Sequence, residues 1–241
     1  MPGSERDTRL PAGRSSRSEI DAFLQKVAAT PAPSTAGRRG RLLFAIDATA
    51  SREPTWDIAC QIQSEMFSAT GLIGGLEVQL AFYRGFGEMK VTKWLESSEE
   101  LVRRMLRVRC LAGRTQIRKL LRHALKETRK QKVDALVFVG DVVEEDIDEL
   151  GQMAGEMGLV GTPVFVFQEG GEPISRSAFQ QVARLSGGAY CSFDAGSAAQ
   201  LRDLLTAVAV FSTGGRRALE DLGKAQGGRV LQIADQMRGK K

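Results

Sequence analysis

Arg41-Leu42-Leu43-Phe44-Ala45-Ile46-Asp47-Ala48-Thr49-Ala50-Ser51 is the stretch that decides the reading of this chain. An apolar run stops at an aspartate, and two hydroxyl residues follow at alternate positions. Gly40 bounds the run on one side and polar sequence on the other, which predicts a strand buried on both faces. Asp47, Thr49 and Ser51 then lie on the loop leaving its carboxyl end, where open α/β sheets bind ligands. Short oxygen side chains converging there suit a hard cation such as Mg²⁺.

Two later stretches extend the pattern. Leu111-Ala112-Gly113-Arg114-Thr115 places a hydroxyl just before a strong helical period. Val137-Phe138-Val139-Gly140-Asp141 is a second apolar strand ending in an aspartate. Taken singly, each polar residue also suits a helix cap: Asp47 near Pro54, Thr115 before Gln116, Asp141 before a helix near Val143.

Between and beyond these stretches, strands alternate with helices. Leu76–Phe82 alternates as a strand, Gly85-Phe86-Gly87 turns, and Lys90–Leu95 returns. So short a connection joins antiparallel strands only. Helices are expected after Pro54 (Trp56, Ala59, Cys60, Gln63, Phe67), from Glu99 to about Arg107, and over Gln116–Lys130. Further helices are expected over Glu144–Met157, Ile174–Leu185 and Ser197–Phe211. Strands are expected at Val133–Val139, Pro163–Phe167 and Ala189–Phe193. The alternation predicts a doubly wound α/β sheet, mostly parallel with one antiparallel edge strand and helices on both faces.

Residues 1–40 read as a basic tail carrying a short helix (Ile20–Val27) and a Pro/Gly linker. Residues 41–213 form the domain, and 214–241 a basic tail or short helix. The net charge of +5 is too small by itself to demand nucleic acid. Cys60, Cys110 and Cys191 form no CxxC pair, which argues against a zinc site or disulfide framework and for a reducing compartment. No apolar run reaches membrane-spanning length, and Met-Pro-Gly-Ser-Glu-Arg lacks a signal-peptide core. The expectation is a cytoplasmic protein with no membrane partner.

Asp-x-Thr-x-Ser, then Gly-x-Thr, then a strand-terminal Asp resembles a von Willebrand factor A (VWA) domain with its metal-ion-dependent adhesion site, over roughly Arg41 to Thr213. Thr49 stands where that family usually has Ser, and keeps a hydroxyl on the same Cβ. The resemblance implies a Rossmann-like VWA fold and a Mg²⁺ or Mn²⁺ ion. Thr49, Ser51 and Thr115 would ligate directly, and Asp47 and Asp141 through water. It further implies an interaction module, not an enzyme, that captures a carboxylate of a partner protein. Such modules serve in multiprotein assemblies, sometimes beside AAA+ ATPases. Arg114 and Arg118, flanking Thr115, are expected to attract an acidic partner.

Two rival readings remain. Haloacid-dehalogenase-like phosphohydrolases also begin with a strand ending in Asp and later carry Gly-Asp with acids nearby, as Gly140-Asp141 with Glu145 or Asp146. They need a second Asp two residues after the first, as general acid, where this chain has Thr49. The basic run from Arg103 to Lys132, opposed only by Glu127, could bind nucleic acid or an acidic protein. It lacks aromatic residues for base stacking, and a charge run commonly forms a solvated helix face. His123 falls opposite the apolar stripe of its helix and is expected at the surface.

Overall fold

The structure, a computed structural model, describes residues 39–55, 76–193, 207, 208 and 212. The expected terminal tails, the helix from Trp56 to Phe67 and most of that from Ser197 to Phe211 lie outside the described residues.

Among the described residues, six strands form one sheet: β1 (Gly40–Asp47), β2 (Leu76–Arg84), β3 (Glu88–Val91), β4 (Ala135–Gly140), β5 (Val164–Glu169) and β6 (Tyr190–Phe193). Their spatial order is β3-β2-β1-β4-β5-β6. All neighbours are parallel except β2 and β3, which the Gly85–Gly87 turn joins as an antiparallel edge. β3 is shorter than its sequence suggests. Beyond Val91 the chain stays on β2 through Thr92, whose N–H donates to the Leu80 carbonyl at 2.9 Å, and through a bridge between Leu95 and Val78.

Among the described residues, α1 (Ser98–Met105) and α2 (Ile117–Lys130) follow β3 in succession, and α3 (Ile147–Leu159) and α4 (Pro173–Leu185) alternate with the strands from β4 onward. α2 forms because Ile117, Leu120, Leu121, Ala124 and Leu125 recur at helical spacing and are all buried. They join Leu150, Ala154 and Met157 of α3 and Phe179, Val182 and Ala183 of α4 in one core. The strand residues facing that core include Leu43, Ala45, Tyr83, Leu136 and Phe138. The alternate residues Leu42, Phe44, Ile46, Val137 and Val139 point to the opposite face and are equally buried. Both faces of β1 and β4 are therefore covered, which is why these strands read as unbroken apolar runs.

α3 begins three residues later than its acidic sequence suggests. Asp146 is its cap, accepting from the N–H groups of Asp148 and Glu149 at 2.9 and 3.0 Å. Glu144 and Glu145 stay outside the helix, and their carboxylates turn to other partners at the edge of the sheet.

Candidate metal centre

In the strand order, β2 lies on one side of β1 and β4 on the other, so the winding reverses between β1 and β4. Crevices at such a reversal are where α/β sheets hold ligands. Ile46 pairs with Val139, which leaves Asp47 and Asp141 at adjacent carboxyl ends. Gly140 makes the approach close. A Cβ added there would lie 2.6 Å from the Phe138 ring and 3.5 Å from Asp47 Cβ.

Asp47 is wholly buried. Its Oδ1 accepts from the Thr49 N–H at 2.8 Å and its Oδ2 from the Tyr83 hydroxyl at 3.0 Å. Burial pushes its pKa up to about 6; the Thr49 and Tyr83 hydrogen bonds oppose the rise and the charge of Asp141 adds to it. Desolvation likewise drives Tyr83 upward, with Asp47 next, so the phenol stays a donor. Thr49 Oγ1 and Ser51 Oγ lie 3.1 Å apart; Thr49 is buried and Ser51 exposed.

Thr115 is brought to the same edge by its loop. The Leu111 N–H donates to the Ala48 carbonyl at 3.0 Å, between Asp47 and Thr49. The Arg114 N–H donates to the Gly85 carbonyl at 3.2 Å. Gly113 packs so tightly on that turn that a Cβ would fall 2.1 Å from the Gly85 oxygen. Thr115 Oγ1 accepts from the Glu144 N–H at 3.1 Å, and the Thr115 N–H donates to Glu144 Oε2 at 3.0 Å. This reciprocal pair ties the loop before α2 to the loop after β4, which carries Asp141. Asp141 is half-buried; its Oδ1 accepts from the Val142 N–H and its carbonyl from Gln168 Nε2.

The helix-cap alternatives for Thr115 and Asp141 are answered by other residues. Glu145 accepts from the N–H groups of Ile117 and Arg118 at 2.6 and 2.9 Å, and so caps α2 from a distant loop. Asp146 caps α3. Asp47 closes a local turn onto Thr49, and the Arg52 N–H bonds the Thr49 carbonyl. Of the two flanking arginines, Arg114 is exposed beside Thr115, whereas Arg118 Nη1 is engaged by Glu149 of α3 at 2.5 Å. His123 is half-buried, with Nε2 2.7 Å from Gln79 Oε1, and desolvation lowers its pKa.

Sequence inspection misses Arg52, whose side chain is only 1% exposed. It forms an ion pair with Glu169, the last residue of β5. Burial lowers its pKa, while Asp141 and then Asp47 pull it back up. Tyr83 and Glu144 likewise reach this edge without a sequence signal of their own, and Glu145, an acid of the phosphohydrolase reading, serves as a cap of α2. Cys110 is half-buried, and the positive charge of Arg52 opposes the effect of that burial on its thiol. Partial burial pushes its thiol up to about 11, which makes it a poor nucleophile.

Among the described residues, no group of three or more His, Cys, Asp or Glu side chains is gathered as a metal site. A cation here would depend on hydroxyl oxygens, and the spacing of Thr49 and Ser51 fits one. Adjacent ligands of an octahedral Mg²⁺ at about 2.1 Å are about 3 Å apart, which the Thr49–Ser51 spacing of 3.1 Å matches. The buried Asp47 near Asp141 would supply the negative charge, and every candidate donor is a hard oxygen.

No protein-family model matches the sequence, and a comparison with curated proteins finds no significant match. The fold does match solved structures. A von Willebrand factor type A protein from Catenulispora acidiphila aligns with TM-score 0.58 and 15% identity, over 72% of this chain and 43% of that one. Proximal thread matrix protein 1 from the mussel byssus, with a zinc-occupied MIDAS motif, aligns with TM-score 0.57 and 13% identity, over 71% of this chain and 46% of that one. The SpRpn10 VWA domain aligns with TM-score 0.54 and 12% identity, over 74% of this chain and 97% of that one. This chain thus spans less than half the length of the first two and nearly all of the third. Strand order, the antiparallel edge and these alignments agree: the chain has the von Willebrand factor A fold.

Proposed function

We propose that this chain is a metal-dependent protein-interaction module. Thr49, Ser51 and Thr115 would hold a Mg²⁺ or Mn²⁺ ion directly, and Asp47 and Asp141 would hold its waters. Neutral hydroxyl ligands leave such an ion electrophilic, and it would supply an attachment point for a partner's Asp or Glu carboxylate. The observation that carries this reading is the meeting of three loops, after β1, before α2 and after β4, at the sheet's reversal point. It is fixed by the Leu111–Ala48 and Thr115–Glu144 hydrogen bonds.

The rim suits a protein partner. Phe86 is 85% exposed at the turn that packs on the Thr115 loop, and Leu111 is 50% exposed beside Ala48. Arg109 and Arg114 are exposed on the same loop. An acidic residue flanked by an apolar one matches that surface. Part of the remaining basic run is paired within the fold, while Arg103, Arg107, Arg122 and Lys126 are exposed. Arg118 and Arg129 pair with Glu149 and Glu156 of α3, Lys130 with Glu127, and Lys132 with the carbonyls of Val160 and Gly161. That favours a protein partner over nucleic acid. Thr49 in place of a general acid favours binding over phosphate hydrolysis.

No helix among the described residues is long and apolar enough to cross a membrane. The reading extends to a subunit or adaptor of a cytoplasmic assembly, of the kind that works beside an AAA+ ATPase. The test is capture of a partner from lysate by wild type and Asp47→Ala, with Mn²⁺ or with EDTA, and circular dichroism to confirm folding. The proposal expects a partner retained by wild type in Mn²⁺ alone. Equal capture in all four conditions would overturn it.

A further inference from the structure

Arg52 sits on the segment leaving β1, with its backbone N–H bound to the Thr49 carbonyl at 3.1 Å. Its guanidinium reaches Glu169 at the end of β5. β4 lies between those two strands. Two strand spacings amount to about 10 Å, a distance that an arginine and a glutamate reaching toward each other can cover. The Arg52 side chain therefore crosses the carboxyl end of β4, where Asp141 begins the loop, and is sealed from solvent there.

A permanent positive charge thus lies in the same water-poor crevice as the two aspartates. An arginine stays charged at any ordinary pH and is the side chain best suited to a buried ion pair. Its placement has two effects of opposite sense. It offsets the repulsion between Asp47 and Asp141 when no other cation is near. It also repels a divalent ion entering beside the same carboxylates, and at short range in a protein that repulsion exceeds the thermal energy. Glu169 holds the guanidinium toward β5 and draws part of its charge away.

We infer that Arg52 is the site's built-in counter-cation: it compensates Asp47 and Asp141 in the metal-free protein and sets the affinity for a divalent ion by opposing it, with Glu169 limiting that opposition. This rests on the metal-binding reading above. It adds a residue outside the five oxygen donors that controls how tightly they bind.

The experiment is Mn²⁺ titration by isothermal calorimetry, with thermal unfolding in EDTA and in Mn²⁺, on the whole chain. Removing Arg52 alone would strand Glu169, so the principal variant is Arg52→Met with Glu169→Gln. It should bind Mn²⁺ about ten-fold or more tighter than wild type. It should also unfold at lower temperature in EDTA and regain the difference in Mn²⁺. Arg52→Lys keeps the charge and should stay within about three-fold of wild type. Glu169→Gln alone leaves Arg52 unrestrained and should bind more weakly, and it serves as the test if the double variant does not fold. Mn²⁺ affinity equal to or weaker than wild type in the double variant overturns the inference, as does unchanged or tighter binding in Glu169→Gln. Binding by the double variant alone supports it, because Arg52 then excludes the ion from wild type. Absence of binding in every form removes the metal reading itself, and the inference with it.

Discussion

Tyr83 donates its hydroxyl hydrogen to Asp47 Oδ2 at 3.0 Å, and both residues are buried. The bond joins facing residues of β1 and β2, since Asp47 and Tyr83 are register partners. A carboxylate sealed from bulk solvent is held in place by this phenol and by the Thr49 N–H. Tyr83→Phe should destabilise the fold by about 1–2 kcal/mol, the cost of leaving a buried acceptor unmet. It should also raise the Asp47 pKa further and so weaken Mn²⁺ binding at pH 6.5. Urea unfolding in EDTA and Mn²⁺ titration check the two parts; wild-type values in both would contradict the bond's role.

The pKa of Asp47 makes metal-free stability depend on pH in a definite direction. The folded value of about 6 lies above the ordinary 3.8. The protonated form is therefore the one that the fold favours. Its contribution is fully present below 3.8 and is lost as pH rises through about 6, an effect on the order of 2–3 kcal/mol. In EDTA, the stability of wild type relative to Asp47→Asn should fall between pH 5 and pH 7.5. With Mn²⁺ present the proton competes with the ion, so affinity should drop as pH falls below about 6. A stability difference independent of pH would contradict this.

Gly113 is the position where backbone meets backbone. Any side chain there would enter the Gly85 carbonyl, 2.1 Å from the added Cβ, and neither partner is a flexible side-chain end. Gly113→Ala should displace the loop carrying Thr115, costing about 1–3 kcal/mol by overpacking and reducing Mn²⁺ affinity by about ten-fold. Unchanged affinity and melting temperature would show that the loop yields freely.

Glu145 caps α2 from across the site, accepting from Ile117 and Arg118. Glu145→Ala should lower stability by about 1–2 kcal/mol, as loss of a helix cap does. The amide protons of Ile117 and Arg118 should exchange faster while those at mid-helix, such as Leu121, change less. Uniform exchange across α2 would contradict a capping role.

What could be read from the sequence divides along physical lines. β1 and β4 announce themselves because strands buried on both faces must be apolar throughout, and the aspartates ending them mark the sheet edge. α2 is equally plain, since its apolar stripe faces one core. Glu144 and Glu145 mislead because acidic residues near a helix start suit the helix dipole; here their partners are Thr115 and α2, chosen by loop packing. Arg52 leaves no trace in local sequence. Its burial depends on Glu169, two strands away, and a charged residue beside Ser51 reads as solvated. His123 falls off the apolar stripe, yet Gln79 of β2 reaches it, a contact that helical periodicity does not encode. Thr115 as a hydroxyl before α2 is legible, but its release from capping depends on Glu145 taking that duty.

The central claim is that Asp47, Thr49, Ser51, Thr115 and Asp141 surround one divalent ion. The most direct measurement is calorimetric titration of the whole chain with MgCl₂ and MnCl₂ at pH 7.5, beside Asp47→Asn, with circular dichroism to show that both are folded. Saturable binding of one ion per chain in wild type, abolished or weakened at least about ten-fold in Asp47→Asn, is the expected result. No saturable heat with either ion in folded wild type, or equal binding by the variant, would contradict it.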